Sequence, residues 1–385
     1  MRSKTGVPAL ACVKNVVFIL FLSFSIAAVA QSPKPPIGPG PVVVHSALGG
    51  FILGYDIDST GKEGLLAEAV ALSDGKANVA IETFDQKTGK TIKIVKQQND
   101  TYSDFVTLGI FGNGAGLAEY EFATSPFVSQ RIYGVLNPLN GNKFTAKWTP
   151  ALNKNDIIEG MAESQGTPNT AVMYFNNGGN DFSSFIFSSN VAANTFGPTI
   201  QVSNSIFDFD NSPVVAYDSV TNQAVLGGSN GCFGCTTEIG LVNLTSGEQT
   251  YFQGLGFGFI NGIAVDPATG IACTTTEDDF SVEFYDLAKQ TGIIVVIPGA
   301  TNQAQSGQAV AFDPIHKLFL VGQEFTSTSF SGSSIQVFDE QGNYIESING
   351  LSLPASSVPI ALHPSARAGY VLITPDLTGL QSFTY

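Results

Sequence analysis

Residues 261–278 read NGIAVDPATGIACTTTED and residues 281–299 read SVEFYDLAKQTGIIVVIPG. Residues 307–324, GQAVAFDPIHKLFLVGQE, and 333–350, SSIQVFDEQGNYIESING, write the same unit again. Each copy has an apolar strand ending in Asp-Pro, a tight turn and a second strand. A loop follows, then a hairpin opened by an aromatic-Asp pair and turned at Gly. This pattern specifies a four-stranded antiparallel meander of about 45–50 residues, the size of one propeller blade.

The unit recurs along the chain. Its first strand ends at Asp218, Asp266, Asp313 and His363 in the last four copies, at steps of 48, 47 and 50 residues. The hairpin pair appears as Phe84-Asp85, Leu136-Asn137, Val242-Asn243, Tyr285-Asp286 and Phe338-Asp339, and has decayed near Ser188-Ser189-Asn190. Seven units result, covering about 50–97, 104–150, 156–202, 213–255, 261–298, 307–348 and 358 onward. The predicted fold is all-β: a single seven-bladed β-propeller of four-stranded antiparallel blades. In Asp-Pro-x-x-Gly/Lys the carboxylate collects backbone amides and Pro presets the next φ, so these aspartates read as turn formers rather than catalysts.

The last unit supplies only three strands, which would leave an open edge. Residues 41–46, PVVVHS, form a short β-rich segment with no other home, and are expected to complete that blade by pairing Val42, Val43 and Val44 with the strand near Leu380 to Phe383. The propeller then spans 41–385. Residues 31–40 (QSPKPPIGPG) read as a Pro/Gly linker that packs against nothing.

Residues 1–30 read as a cleaved signal peptide. Arg2, Lys4 and Lys14 precede the apolar run 16–30, and Ala28-Val29-Ala30 gives a small-x-small cleavage pattern. The run is short for a membrane span. The expected location is secreted or periplasmic, with no transmembrane segment after cleavage. Removing those three of 17 basic residues leaves 14 against 32 acidic ones, a formal charge of −18. Such a surface repels phosphate backbones, which argues against a nucleic-acid partner.

Residues 41–385 resemble seven-bladed propellers with NHL-like or YVTN-like repeats. The matching residues are Val265-Asp266-Pro267, Phe312-Asp313-Pro314 and the Tyr285-Asp286 to Gly292 and Phe338-Asp339 to Gly342 hairpins. The resemblance implies that outer-to-inner and second-to-third strand loops cluster around the tunnel mouth. Those loops would carry Asp208, Asp210, Asn211, Asn261, Glu277, Asp278, Asp279, Glu324 and Asp376. Such oxygen ligands suit Ca²⁺ or another hard divalent cation. Related lactone hydrolases make metal-assisted ring opening one reading of such a mouth, and ordinary polar loops are the other.

Other chemistry finds little footing. The three histidines, His45, His316 and His363, sit apart from the acidic loops, and no Gly-x-Ser-x-Gly elbow or phosphate-binding loop is written. Cys232 and Cys235, in an exported protein, are expected to form a local disulfide, and Cys273 to be a buried small residue. Asn99 and Asn243 open glycosylation patterns. The functional expectation is a monomeric binding or interaction platform for a protein or small molecule, with no catalytic residue assigned. A metal-assisted hydrolase or lactonase and a structural surface protein are the alternatives.

Overall fold

An apolar strand that ends in Asp must turn where its carboxylate can gather the following amides. The computed structural model describes residues 36–385 except 59, 102–105, 111–115, 126–127, 138–142, 147–156, 164–169, 177–183, 191–192, 194, 204–213, 230–235, 277–280, 298–304, 327–330, 352–358 and 374–376. It shows that turn repeatedly. Asp266 accepts the Ala268 amide at 3.0 Å and the Thr269 hydroxyl at 2.8 Å. Asp218 accepts the Val220 and Thr221 amides and the Thr221 hydroxyl, and Asp313 accepts the Ile315 and His316 amides. Four residues after each aspartate the chain enters the left-handed region, at Asn222 (φ 54°), Gly270 (69°) and Lys317 (58°). Arg367 (48°) holds the same place after His363.

These turns join strands into antiparallel sheets. After β1 (Gly38–His45), the first sheet holds β2 (Phe51–Ile57), β3 (Glu63–Ala71), β4 (Ala77–Asp85) and β5 (Thr91–Thr101). The second holds β6 (Val106–Ile110), β7 (Gly116–Ser125), β8 (Val128–Asn137) and β9 (Lys143–Ala146). The third holds β10 (Ile157–Glu163), β11 (Thr170–Asn176), β12 (Ser184–Asn190), β13 (Thr195–Phe196) and β14 (Ile200–Val202). The fourth holds β15 (Val214–Asp218), β16 (Gln223–Ser229), β17 (Thr236–Asn243) and β18 (Gln249–Phe257). The fifth holds β19 (Ile260–Asp266), β20 (Ile271–Thr276), β21 (Ser281–Asp286) and β22 (Thr291–Val296). The sixth holds β23 (Gln305–Asp313), β24 (Leu318–Thr326), β25 (Ser331–Asp339) and β26 (Tyr344–Leu351). The last holds β27 (Ala361–His363), β28 (Ala368–Leu372) and β29 (Gly379–Thr384), with β1 beside β29.

The chain is thus all-β, a single propeller of antiparallel blades. Six sheets have four strands in sequential order apart from the seam, and the remaining one has five. That third sheet departs from the expected seven identical blades. Its outer strand is split, with β13 and β14 both pairing with β12. Pro198 lies between them and has no amide to give the ladder, while the Gly197 amide extends the β12–β13 pairing to Ser188 O at 2.7 Å.

First strands of successive sheets pack side by side: β2 on β6, β6 on β10, β10 on β15, β15 on β19, β19 on β23, β23 on β27 and β27 on β2. The core lies between sheets. One cluster joins Leu320, Ile335 and Val337 of the sixth sheet to Val371, Phe383 and Tyr385 of the last. Another joins Val44, Leu372 and Leu380 of the last sheet to Ile52, Leu66 and Phe84 of the first.

At the seam β1 runs antiparallel to β29, with Val42 opposite Gln381, Val44 opposite Leu380 and His45 opposite Gly379. The strand starts earlier than the expected boundary at Pro41. Gly38 and Pro39 pair with Thr384 and Phe383, and Gly40 O accepts Gln381 Nε2 at 3.1 Å. The Thr384 hydroxyl donates to Pro36 O. The Pro/Gly composition had read as linker because Pro cannot donate, but its carbonyls accept from β29. Gly89, in the first sheet's hairpin at φ +67°, touches this strand: a Cβ there would lie 1.4 Å from Val43 O.

Candidate functional site

The meander fixes which connections share a face. On one face, the segments joining first to second and third to fourth strands are all four to six residues long. On the other, connections range from two residues (258–259) to ten (147–156) and eleven (203–213). Among the described residues, the regular face carries turns anchored by Asp85, Asp218, Asp266, Asp286, Asp313 and Asp339, with Asn190 and Asn243 in the same role. The irregular face carries the variable sequence.

Residues Asp208, Asp210, Asn211, Glu277, Asp278, Asp279 and Asp376 belong to connections that leave and re-enter strands at the irregular face, and lie outside the described residues. Cys232 and Cys235 lie outside them too. Asn261 is on β19, and Glu324 is on β24, opposite Ser306 and Ser333. These two belong to successive sheets and share no strand pairing. Among the described residues, no group of three or more His, Cys, Asp or Glu side chains is placed to hold a metal ion.

Asn261 has a neighbourhood that sequence reasoning missed. The β19–β20 register shifts between Ile260 and Gly262, leaving Asn261 at a bulge. The same shift surrounds Leu53 in β2, Glu159 in β10 and Gln308 in β23. Bulges re-aim a strand at a rim, and here they fall near the irregular-face ends of four inner strands. The signal was present as Ile-x-Gly at 52–54, 158–160 and 260–262.

Away from the bulges, toward the regular-face ends of the inner strands, residues 55–57, 161–163 and Pro364 help to line a cavity of about 250 Å³. Apolar residues including Met161, Val215, Phe312 and Ile360 line it together with Asp56 and Glu163, and its exposed wall is as polar as it is apolar. Tyr55 also lines it. Its hydroxyl donates to Pro359 O and accepts the Leu372 amide at 3.2 Å, so it braces the first sheet against the last. Burial drives the Tyr55 phenol far above its ordinary value, keeping it neutral.

A second polar cluster sits under the β1–β2 connection. Glu68 and Glu82 are fully buried on neighbouring strands β3 and β4. Glu68 Oε2 accepts the Ser46 hydroxyl and the Leu48 amide, the latter at 2.9 Å. Burial, and secondarily the Glu68 charge, push the Glu82 carboxyl up to about 7, against the opposing pull of Thr91 and the Ala47 amide. Three residues that follow β1, Ser46, Ala47 and Leu48, thereby meet two carboxyls from the first sheet's interior.

The three histidines are dispersed. His45 is exposed on β1, His316 Nδ1 lies 2.7 Å from Asp313 within its turn, and His363 Nε2 lies 3.0 Å from the Ser365 hydroxyl. Cys273 is a buried free thiol.

No helix among the described residues is long and apolar enough to cross a membrane. No family model matches the chain, so the NHL-like or YVTN-like assignment is not shown, and no curated protein matches it. Among solved structures, one titled "Structure of U3-55K" is similar over 92% of this chain and 100% of its own, with a TM-score of 0.58 at 13% identity. At that identity the likeness is one of fold.

Proposed function

We propose that this protein is an exported, monomeric binding platform. It is a seven-bladed propeller, counting the five-stranded sheet as a blade, with β1 as the clasp of the ring. Its irregular face holds a protein or small-molecule ligand. The observation that carries this reading is the contrast between the two faces. Connections of a regular four to six residues lie on one face, while connections of two to eleven residues lie on the other, where the inner strands are bulged. Binding functions concentrate on variable loops held by a rigid scaffold. The signal-like residues 1–30 and the acidic balance support export.

The test is a binding screen of the mature chain against peptide, glycan and small-molecule arrays. Each hit is then repeated on a variant whose 203–213 connection is replaced by a four-residue Asp-Pro-x-Gly turn. Lost binding with an unchanged melting temperature supports the reading. Undiminished binding moves the ligand to another surface. Calcium-dependent turnover of a lactone panel, abolished by Asp208→Asn, would replace the platform with a hydrolase.

A further inference from the structure

The regular face repeats one arrangement three times, with one member missing. Between the fifth and sixth sheets, buried Asp266 holds its own turn and also receives Lys317 Nζ from the next sheet, at 3.0 and 3.2 Å. The same ammonium lies 5.4 Å from the centre of the Phe312 ring and 3.8 Å from Glu340 Oε1. At the following junction Asp313 receives the Tyr385 hydroxyl at 2.8 Å. Each of these aspartates therefore has a donor from the neighbouring sheet.

Asp218 is the same residue one sheet earlier. It ends β15, is 2% exposed and holds the amides and hydroxyl of its own turn. The next sheet, however, writes Gly270 where the sixth writes Lys317: each stands four residues past its aspartate, with φ of 69° and 58°. It writes Leu287, directly after Asp286, where the sixth writes Glu340 directly after Asp339. Among the described residues, no side chain of the fifth sheet hydrogen-bonds to Asp218. In that place is a cavity of about 400 Å³ between the two sheets, lined by Asp218, Asn243, Glu248, Leu241, Gly270 and Leu287 among others. A Cβ at Gly270 would meet no atom within 4 Å.

We infer that this cavity binds a primary alkylammonium group, with Asp218 as its counter-ion. The space is the one that an internal lysine fills at the next junction. Leu241 and Leu287 offer apolar wall to a methylene stem, and Asp218 offers an acceptor for a charge-assisted hydrogen bond. The net charge of −15 favours the approach of cations. The volume falls within the range of small-ligand sites, roughly 300–1,000 Å³. The same chemistry is carried by a free alkylamine and by a lysine side chain of another protein.

Calorimetry of the full chain in amine-free buffer tests this, with n-pentylamine, n-pentanol and Nα-acetyl-lysine N-methylamide as probes. At least one amine is expected to bind and the alcohol to fail. Preference for the lysine derivative identifies a protein side chain as the source, and preference for pentylamine a free amine. Asp218→Asn should weaken binding by about tenfold or more. Because Asp218 also builds its turn, Gly270→Lys is the second variant. It supplies the ammonium internally, so it should abolish amine binding and raise the melting temperature. Equal binding of pentanol and pentylamine, no binding of either amine, or an amine affinity untouched by Gly270→Lys would overturn the inference.

Discussion

The Tyr385 hydroxyl donates to Asp313 Oδ2 at 2.8 Å, across 72 positions of the chain. Both residues are buried, and the Tyr385 amide also donates to Arg367 O at 3.0 Å. One carboxylate thus holds its own turn in the sixth sheet and pins the end of β29 in the last. Burial first, then the Asp313 charge, raise the Tyr385 phenol well above its ordinary value, so it remains a neutral donor.

Tyr385→Phe should remove that bond alone and lower the unfolding free energy by about 1–3 kcal/mol, as for a hydrogen bond to a charged acceptor. Tyr385→Ala should cost about 3–5 kcal/mol because it also opens a cavity among Val371, Phe383 and Ile360. Urea unfolding separates the two. Equal losses would mean that packing, not the bond to Asp313, fixes this residue.

Glu82 predicts a pH dependence with a definite sign. Its carboxyl is raised from 4.5 to about 7 in the fold. A group raised on folding contributes stability below its unfolded value, and loses that contribution as pH rises through its folded value. The groups facing it are Glu68, Thr91 and the Ala47 amide, with Ser46 beyond Glu68. The native chain should therefore lose about 1–3 kcal/mol between pH 5 and 8 relative to Glu82→Gln. Parallel pH profiles for the two proteins would remove Glu82 as the cause.

The parts of the fold that were legible in sequence are those written in local chemistry. Asp266-Pro267 and Asp313-Pro314 announce their turns because the carboxylate and its amides are two or three residues apart. The seam was legible from a missing strand and a β-branched segment, but its start was not. Composition marks Pro39 as a poor donor without revealing that Gly40 O faces Gln381 and Pro41 O faces Ser382. The split of β13 from β14 depends on where Pro198 falls against β12, which is a matter of register. Glu68 and Glu82 are 14 positions apart and meet only through the β3–β4 pairing, in which Leu66 stands opposite Glu82. The cavity beside Asp218 is a difference between two copies of a turn, and becomes visible only once Lys317 is seen to cross between sheets.

Cys232 and Cys235 are proposed to form a disulfide, on the strength of their spacing and of the proposed export. Intact-mass analysis of alkylated, non-reduced protein should find the peptide two hydrogens light. Quantitative alkylation of both thiols without reductant would refute the bond. The closed loop is so short that replacing both residues with Ser should shift the melting temperature by no more than a few degrees, for a loss of about 2 kcal/mol or less.

The central claim is that β1 clasps the ring by pairing with β29. Its most direct test is the urea-unfolding midpoint of residues 31–385 against two shorter forms, one lacking residues 31–35 and one lacking 31–46. The shorter deletion leaves every described β1 contact in place and should unfold like residues 31–385. The longer one removes buried Val44, strips the pairing partners from Gly379, Leu380 and Gln381, and exposes β29 as an edge. It should lose more than about 4 kcal/mol and self-associate. Identical midpoints and monomeric elution for both truncations would contradict the account.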